Sequence, residues 1–125
     1  MTNTLSPEAA VQQQLDAYNA RDLDAWVATY ADDGKQFEHP ATLVANGKAE
    51  IKARATIRFQ EPNLYAKLLN RTVMENIVID HEEVTRTFPE GTGTIRLVAI
   101  YEVKNGKIQS GSFVFGEKRL DVIGS

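Results

Sequence analysis

Cysteine is absent from the 125 residues of this chain. That excludes disulfides, thiolate nucleophiles and cysteine-based zinc or iron–sulfur sites, and it fits a reducing compartment. Histidine is scarce, with only His39 and His81 present, so any chemistry rests on these two or on Asp, Glu, Tyr, Arg and Lys. No apolar run approaches the roughly 20 residues needed to span a bilayer. The opening MTNTLSPEAA lacks the basic and apolar regions of a signal peptide. The expectation is a cytoplasmic protein with no membrane contact. A basic excess is missing too: 14 Lys and Arg face 17 Asp and Glu, for a net charge of -3. The cations are scattered rather than gathered, which argues against nucleic acid as a partner.

What remains is the composition of an ordinary globular protein, with 42% hydrophobic and 25% charged residues. A chain of this length buries about two thirds of the surface its unfolded form exposes. One core is therefore expected, in a single domain over residues 1–125, and no repeat, linker or low-complexity tract interrupts it.

In SPEAAVQQQLDAYNARD, Ser6 suits an N-cap and Pro7 the first helical position, and Val11, Leu15 and Tyr18 recur at helical spacing. In DLDAWVATYADDG, Asp22 is the candidate cap, Leu23, Trp26, Val27 and Tyr30 share one side, and Gly34 suits a stop. KQFEHPATLVA reads as a strand, a break and a second short strand, because Pro40 pushes His39 to an extended backbone and removes a ladder donor. A third helix is expected from about Ala49 to Phe59, with Asn46 as its cap and Ile51, Ala55 and Phe59 on the buried side. From residue 64 the pattern turns to strands: LYAKLLNRTVMENIVID, HEEVTRTFPE, TGTIRLVAIYEV and KIQSGSFVFGE. Asn105-Gly106 is the clearest hairpin signal. Helices first and hairpin-linked strands afterwards predict an α+β domain with helices on one face of an antiparallel sheet.

YNARDLDAWVATYADD, the FEHP that follows, and the closing hairpin YEVKNGKI with FVFGEK come in an order and spacing that resemble the NTF2-like superfamily, close to its SnoaL-like and ketosteroid-isomerase-like branches. The resemblance covers roughly residues 5 to 118 and implies a curved, antiparallel or mixed sheet wrapped against three N-terminal helices. The resulting cone holds an internal apolar pocket. It also implies a homodimer through the outer sheet face and a small hydrophobic molecule as ligand. Members range from isomerases, dehydratases, cyclases and epoxide hydrolases to non-catalytic proteins, so the fold leaves the function open.

Ketosteroid isomerase removes a proton with an aspartate and holds the oxyanion with a tyrosine and a protonated aspartic acid. The resemblance puts Gln14, His39 and Ala99 at those tyrosine, base and oxyanion positions, so that triad is not retained and steroid isomerase activity is not assigned. A histidine at the base position can accept a proton near neutral pH. The expected catalytic set is His39 as general base, with Gln14 and Tyr18 orienting a carbonyl oxygen and Tyr30 as a further phenolic donor. Trp26, Tyr30, Phe37, Leu97, Ala99, Tyr101 and Phe113 are expected to line the substrate pocket. On apolar stripes such residues more often shape a core than react.

IDHEE invites a metal reading, but consecutive strand residues point to opposite faces, and a solvated hairpin turn is the favoured assignment. No metal and no cofactor is expected. In TIRLVAIYEV, Ile95, Leu97, Ala99 and Tyr101 share one face, while Val98 and Ile100 lie on the other between Arg96 and Glu102, too apolar for open solvent. Arg86 either points inward toward a substrate carboxylate or forms an ion pair, the latter favoured, and Arg71 carries the same ambiguity. Two functions follow as expectations: an isomerase- or dehydratase-like enzyme acting on an apolar carbonyl compound, or a non-catalytic binder of a small hydrophobic ligand. A pure dimerisation module, its pocket plugged by Trp26, Phe37 and Phe113, is the third.

Overall fold

Ser6 Oγ accepts the Ala9 N–H at 3.1 Å and Pro7 occupies the first helical position, so α1 (Pro7–Ala20) starts where the sequence places it. The computed structural model describes residues 4–121. Asp22 Oδ1 caps α2 (Leu23–Ala28) through the Ala25 N–H at 3.1 Å. This helix is shorter than its apolar spacing suggests. Tyr30 already belongs to β1 (Tyr30–Glu38), and Gly34 lies inside that strand rather than ending a helix. The Ile108 N–H donates to the Thr29 carbonyl at 2.8 Å, so strand pairing takes the backbone before another helical turn forms.

The chain then turns through β2 (Thr42–Asn46) into α3 (Lys48–Arg58). The cap of α3 is Gly47, at φ 90, and not Asn46. Instead Glu50 Oε1 reaches back to the Asn46 N–H at 2.8 Å, a carboxylate serving an orphan donor at a helix start. The remaining strands are β3 (Tyr65–Met74), β4 (Ile77–Phe88), β5 (Gly91–Lys104) and β6 (Lys107–Leu120). The Asn105-Gly106 pair turns the last hairpin with φ of 51 and 75, as such a pair does. The expected turn at His81 to Glu83 is corrected. That stretch is the middle of β4, and the chain reverses earlier, at Glu75 and Asn76.

The six strands form one sheet in the order β2-β1-β6-β5-β4-β3. Every neighbouring pair is antiparallel except β1 and β6, which run parallel. This is the expected α+β architecture with a mixed sheet. The helices cover the concave face, where Val11, Trp26, Val27 and Ile51 pack against Val78, Ala99, Tyr101 and Ile108 in the main core. A smaller cluster gathers Leu15, Leu64, Ala66 and Val84. Tyr18, Phe59 and Leu97 touch both clusters, and a cavity occupies the space between the two. Among the described residues no helix is long and apolar enough to cross a membrane.

Asn19 ties the helical layer to the edge of the sheet. Its Nδ2 donates to the Ala66 carbonyl at 2.9 Å and its Oδ1 accepts the Ala66 N–H at 2.8 Å, so one side chain satisfies both backbone groups of a buried residue on β3. Asn19→Ala strands both groups and should cost on the order of 2–4 kcal/mol. Urea denaturation measures it, and unchanged stability would remove this role.

Candidate functional site

Alternation along β4 sends Val78, Asp80, Glu82 and Val84 to the concave face and His81 and Glu83 to the outer one. Two carboxyl groups thus enter the apolar interior from one strand. They have different surroundings. Arg71, beside Asp80 on β3, donates through Nε to Asp80 Oδ1 at 2.7 Å and through Nη2 to Oδ2 at 2.9 Å, while its Nη1 donates to Gln12 Oε1 at 2.8 Å. Asp80 is 0% exposed and fully served by this bidentate pair. The Asp80 hydrogen bonds hold the Arg71 guanidinium more firmly protonated than usual, against the opposing effect of burial.

Glu82 is 6% exposed and lines a cavity of about 140 Å3. Desolvation, reinforced by the neighbouring Asp80 charge and only partly offset by Arg71, pushes its carboxyl up to about 7. None of the hydrogen bonds among the described residues uses its oxygens, which therefore face the cavity. A carboxyl poised this way exchanges its proton near neutral pH.

Around it stand three tyrosines. Burial pushes the Tyr18 phenol up to about 12, outweighing the nearby Arg58 guanidinium, which favours the ionised form. Burial also raises Tyr30, whose hydroxyl accepts Gln36 Nε2–H at 3.2 Å, and Tyr101. Arg54 fixes the orientation of Gln36, because a guanidinium only donates: its Nη1 reaches Gln36 Oε1 at 3.0 Å, leaving the Gln36 amide N–H for Tyr30. Tyr30 accepts from a donor whose orientation a cation fixes, which leaves its own O–H proton to be donated. The Glu82 charge is felt at Tyr18, Tyr30 and Tyr101, so the groups share one electrostatic neighbourhood.

The apolar wall is built from aromatic pairs. Trp26 meets Tyr30 with ring centroids 4.9 Å apart and Phe59 at 5.7 Å, Tyr18 meets Phe59 edge-on at 5.3 Å, and Phe113 lies 6.1 Å from Tyr101. Gly111 makes this last arrangement possible: a Cβ there would lie 3.1 Å from the Phe113 ring and 3.3 Å from Tyr101. Arg54 and Arg58 on α3, with Phe115, complete the lining toward solvent.

Of the residues expected from sequence, Gln14, Tyr18, Trp26, Tyr30, Leu97, Tyr101 and Phe113 line the cavity. Gln14 Oε1 accepts the Trp26 indole N–H at 2.9 Å, and its Nε2 makes a long contact of 3.4 Å to the Val11 carbonyl. It holds Trp26 in place more than it offers a free amide. Three expectations are corrected. His39 is exposed just past the end of β1, bonded through its backbone N–H to the Phe113 carbonyl, and is not in the lining. Phe37 pairs with Ser112, one position out of phase with the inward Gln36–Gly111 pair, so it lies on the outer face. Ala99 faces inward but is sealed in the core at 0% exposure, below the cavity and outside its lining.

Arg86 forms the ion pair favoured from sequence, although its partner is the loop residue Glu61 and not a neighbouring strand. Nε and Nη2 donate to the Glu61 carboxylate at 3.2 and 2.8 Å, and the Thr87 N–H adds a third bond at 3.1 Å. Burial works against the Glu61 charge, but these donors and Arg58 together hold its carboxyl below the usual range. Glu82 is the cavity carboxyl that sequence reasoning missed. The signal was present: IVIDHEEV holds no Gly or Pro, and as one strand it puts Asp80 and Glu82 between Val78 and Val84 on the buried face.

The profile of the SnoaL-like domain matches residues 11–111 of this chain. A search of curated proteins found no match. Among solved structures, an uncharacterized cystatin-fold protein from Novosphingobium aromaticivorans shares 23% identity at a TM-score of 0.80, over 87% of this chain and 97% of that one. A hypothetical protein with a ketosteroid isomerase-like fold from Catenulispora acidiphila, in complex with trimethylamine, shares 13% identity at 0.73, over 87% and 85%. An LEH-like epoxide hydrolase of M. tuberculosis shares 17% identity at 0.75, over 92% and 86%. At these identities the likeness is one of fold. With the family profile spanning most of the sequence, this chain belongs to the SnoaL-like domain family.

Proposed function

We propose that the cavity is the active site of an acid–base enzyme acting on a small apolar carbonyl compound, with Glu82 in the role the sequence had suggested for His39. The observation that carries this reading is the Glu82 carboxyl, buried inside an aromatic cavity without a hydrogen-bond partner among the described residues, where desolvation pushes it up to about 7. As carboxylate it takes a proton from the carbon beside a carbonyl. The negative charge passes to the carbonyl oxygen, where the Tyr18 and Tyr30 O–H groups donate to it. The protonated Glu82 then returns the proton to another carbon of the enolate, for an isomerisation, or to a departing hydroxyl, for a dehydration. In either case the atoms balance with no cofactor. A cavity of about 140 Å3 suits one ring or a short chain.

The alternative, a binder without turnover, is favoured by the same aromatic wall and needs no proton transfer. The two readings separate on Glu82. On a panel of small enones and hydroxyketones, Glu82→Gln should lower kcat by about 10^2 to 10^4, and wild-type kcat should rise with pH through a midpoint near 7, where the carboxylate forms. His39→Ala should leave both unchanged. Turnover that survives Glu82→Gln ends the assignment.

The same titration acts on stability. The folded-state value of Glu82 is raised above its unfolded one, so its contribution is fully present below about pH 4.5 and lost as pH rises through about 7. The difference amounts to about 3 kcal/mol. Denaturant titrations at pH 5 and pH 8 should show wild type losing stability relative to Glu82→Gln by an amount of this order, and parallel profiles would mean that the carboxyl is not desolvated.

We further propose that the protein is a homodimer through the outer sheet face, a reading supported by the apolar row that crosses it. Ile79 pairs with Ile100, Ile100 with Ser112, Ser112 with Phe37 and Phe37 with Leu43, and Val98 pairs with Val114 in the next row. Ile79 is 36% and Val114 41% exposed in the single chain. Continuous apolar surface of this kind is stable when a second copy covers it. Ile100→Glu at its centre should convert the dimer to monomer in sedimentation equilibrium, and an unchanged mass would exclude this face.

A further inference from the structure

The mouth of the cavity carries a surplus of positive charge that the acid–base chemistry does not use. Most cations nearby have acidic partners: on α3, Lys48 lies 3.3 Å from Asp32 and Lys52 3.8 Å from Asp24. Arg58 lies 3.3 Å from the Glu61 carboxylate, which it shares with Arg86 at 2.8 Å, so one anion serves two guanidinium groups. Arg54 has no acidic partner among the described residues. Its hydrogen bond goes to the neutral Gln36 amide, at 3.0 Å, and the rest of its donor fork is free. It sits where the aromatic lining gives way to solvent, exposed but part of the cavity wall.

We infer that the substrate is an amphipathic carboxylate, a one-ring or short-chain oxo acid, whose apolar body lies among Trp26, Phe59 and Phe113 while its carboxylate pairs with Arg54 at the mouth. This rests on the reading of the cavity as a small-molecule site and adds the class of molecule it selects. The geometry favours a planar anion, because a guanidinium fork matches a carboxylate in bidentate fashion. It also favours the acid pointing outward. The deep end holds Glu82, close to the buried Asp80 charge, and a second anion there meets repulsion, while at the mouth an anion meets Arg54 and the half-neutralised Arg58. The division of labour follows: Arg54 fixes which end enters, and the ketone oxygen of the same molecule reaches the tyrosine donors.

Trp26 is the only tryptophan in the chain and lines the cavity, so its emission reports occupancy. The probes are cyclohexaneacetate and its uncharged isostere cyclohexaneacetamide, titrated by calorimetry and by Trp26 fluorescence at low ionic strength. Wild type should bind the acid at least about tenfold more tightly than the amide, and added salt should narrow the gap. Arg54→Gln should bring the acid to within about twofold of the amide, the two probes being compared within the variant so that any shift of Gln36 and Tyr30 acts on both alike, and Arg54→Lys, which keeps the charge but loses the fork, should retain part of the preference. Equal binding of acid and amide by wild type, or a preference that persists in Arg54→Gln, overturns the carboxylate assignment and leaves the Glu82 chemistry standing. No response of Trp26 to either probe removes both.

Discussion

One guanidinium placed near two inward carboxyl groups, and bonded to only one of them, sets the character of this molecule. Arg71 is the cation placed to serve Asp80 and Glu82, and register decides which it serves: Arg71 pairs with Asp80 across β3 and β4, and spends its Nε, Nη1 and Nη2 donors on Asp80 and Gln12. Glu82, two residues on, faces the same interior with nothing left for it. A buried pair costs desolvation that its attraction roughly repays, whereas a buried lone carboxylate is costly enough that the group prefers its proton. The register therefore produces a paired carboxyl and an unpaired one from nearby positions on a single strand.

The cavity exists because the two apolar clusters do not merge. Residues that touch both, Tyr18, Phe59 and Leu97, bridge the gap at its sides without filling it. Tyr18 and Trp26 come from α1 and α2, Tyr30 from the start of β1, Arg54 and Arg58 from α3, and Glu82, Tyr101 and Phe113 from the sheet, so every layer of the fold contributes to one wall. Hydrogen bonds keep these side chains from collapsing inward: Gln14 holds the Trp26 indole and Gln36 holds Tyr30 against Arg54. A fold shared with an epoxide hydrolase and a trimethylamine-bound protein constrains none of this detail. What distinguishes this chain within the fold is which groups are buried unpaired.

Much of the fold was legible because its signals are local. The Ser6–Pro7 start, the Asp22 cap, the Asn105-Gly106 turn and the alternation in β5 each depend on a few adjacent residues and appear as read. The end of α2 was not legible, since Tyr30 to Gly34 has helical spacing and becomes strand only because β6 arrives to pair with it. The site divided in the same way. Aromatic residues on helical stripes were found from periodicity, whereas His39 was placed by likeness of position to a base in a related fold. Its side chain lies beyond the last residue of β1, where the chain is already turning away from the cavity.

The sequence by itself determined the order of elements, the amphipathic faces of the helices, the inward set Leu97, Ala99 and Tyr101, and the family, because these follow from spacing and from residue types along the chain. Only the tertiary structure decided that β4 runs unbroken through Asp80, His81 and Glu82, that Arg71 chooses Asp80, and that Glu82 rather than His39 meets the cavity. The physical reason is that the proton affinity of a carboxyl group is set by the water, charges and donors around it. Those neighbours come from residues far apart in sequence, brought together only when the sheet closes against the helices.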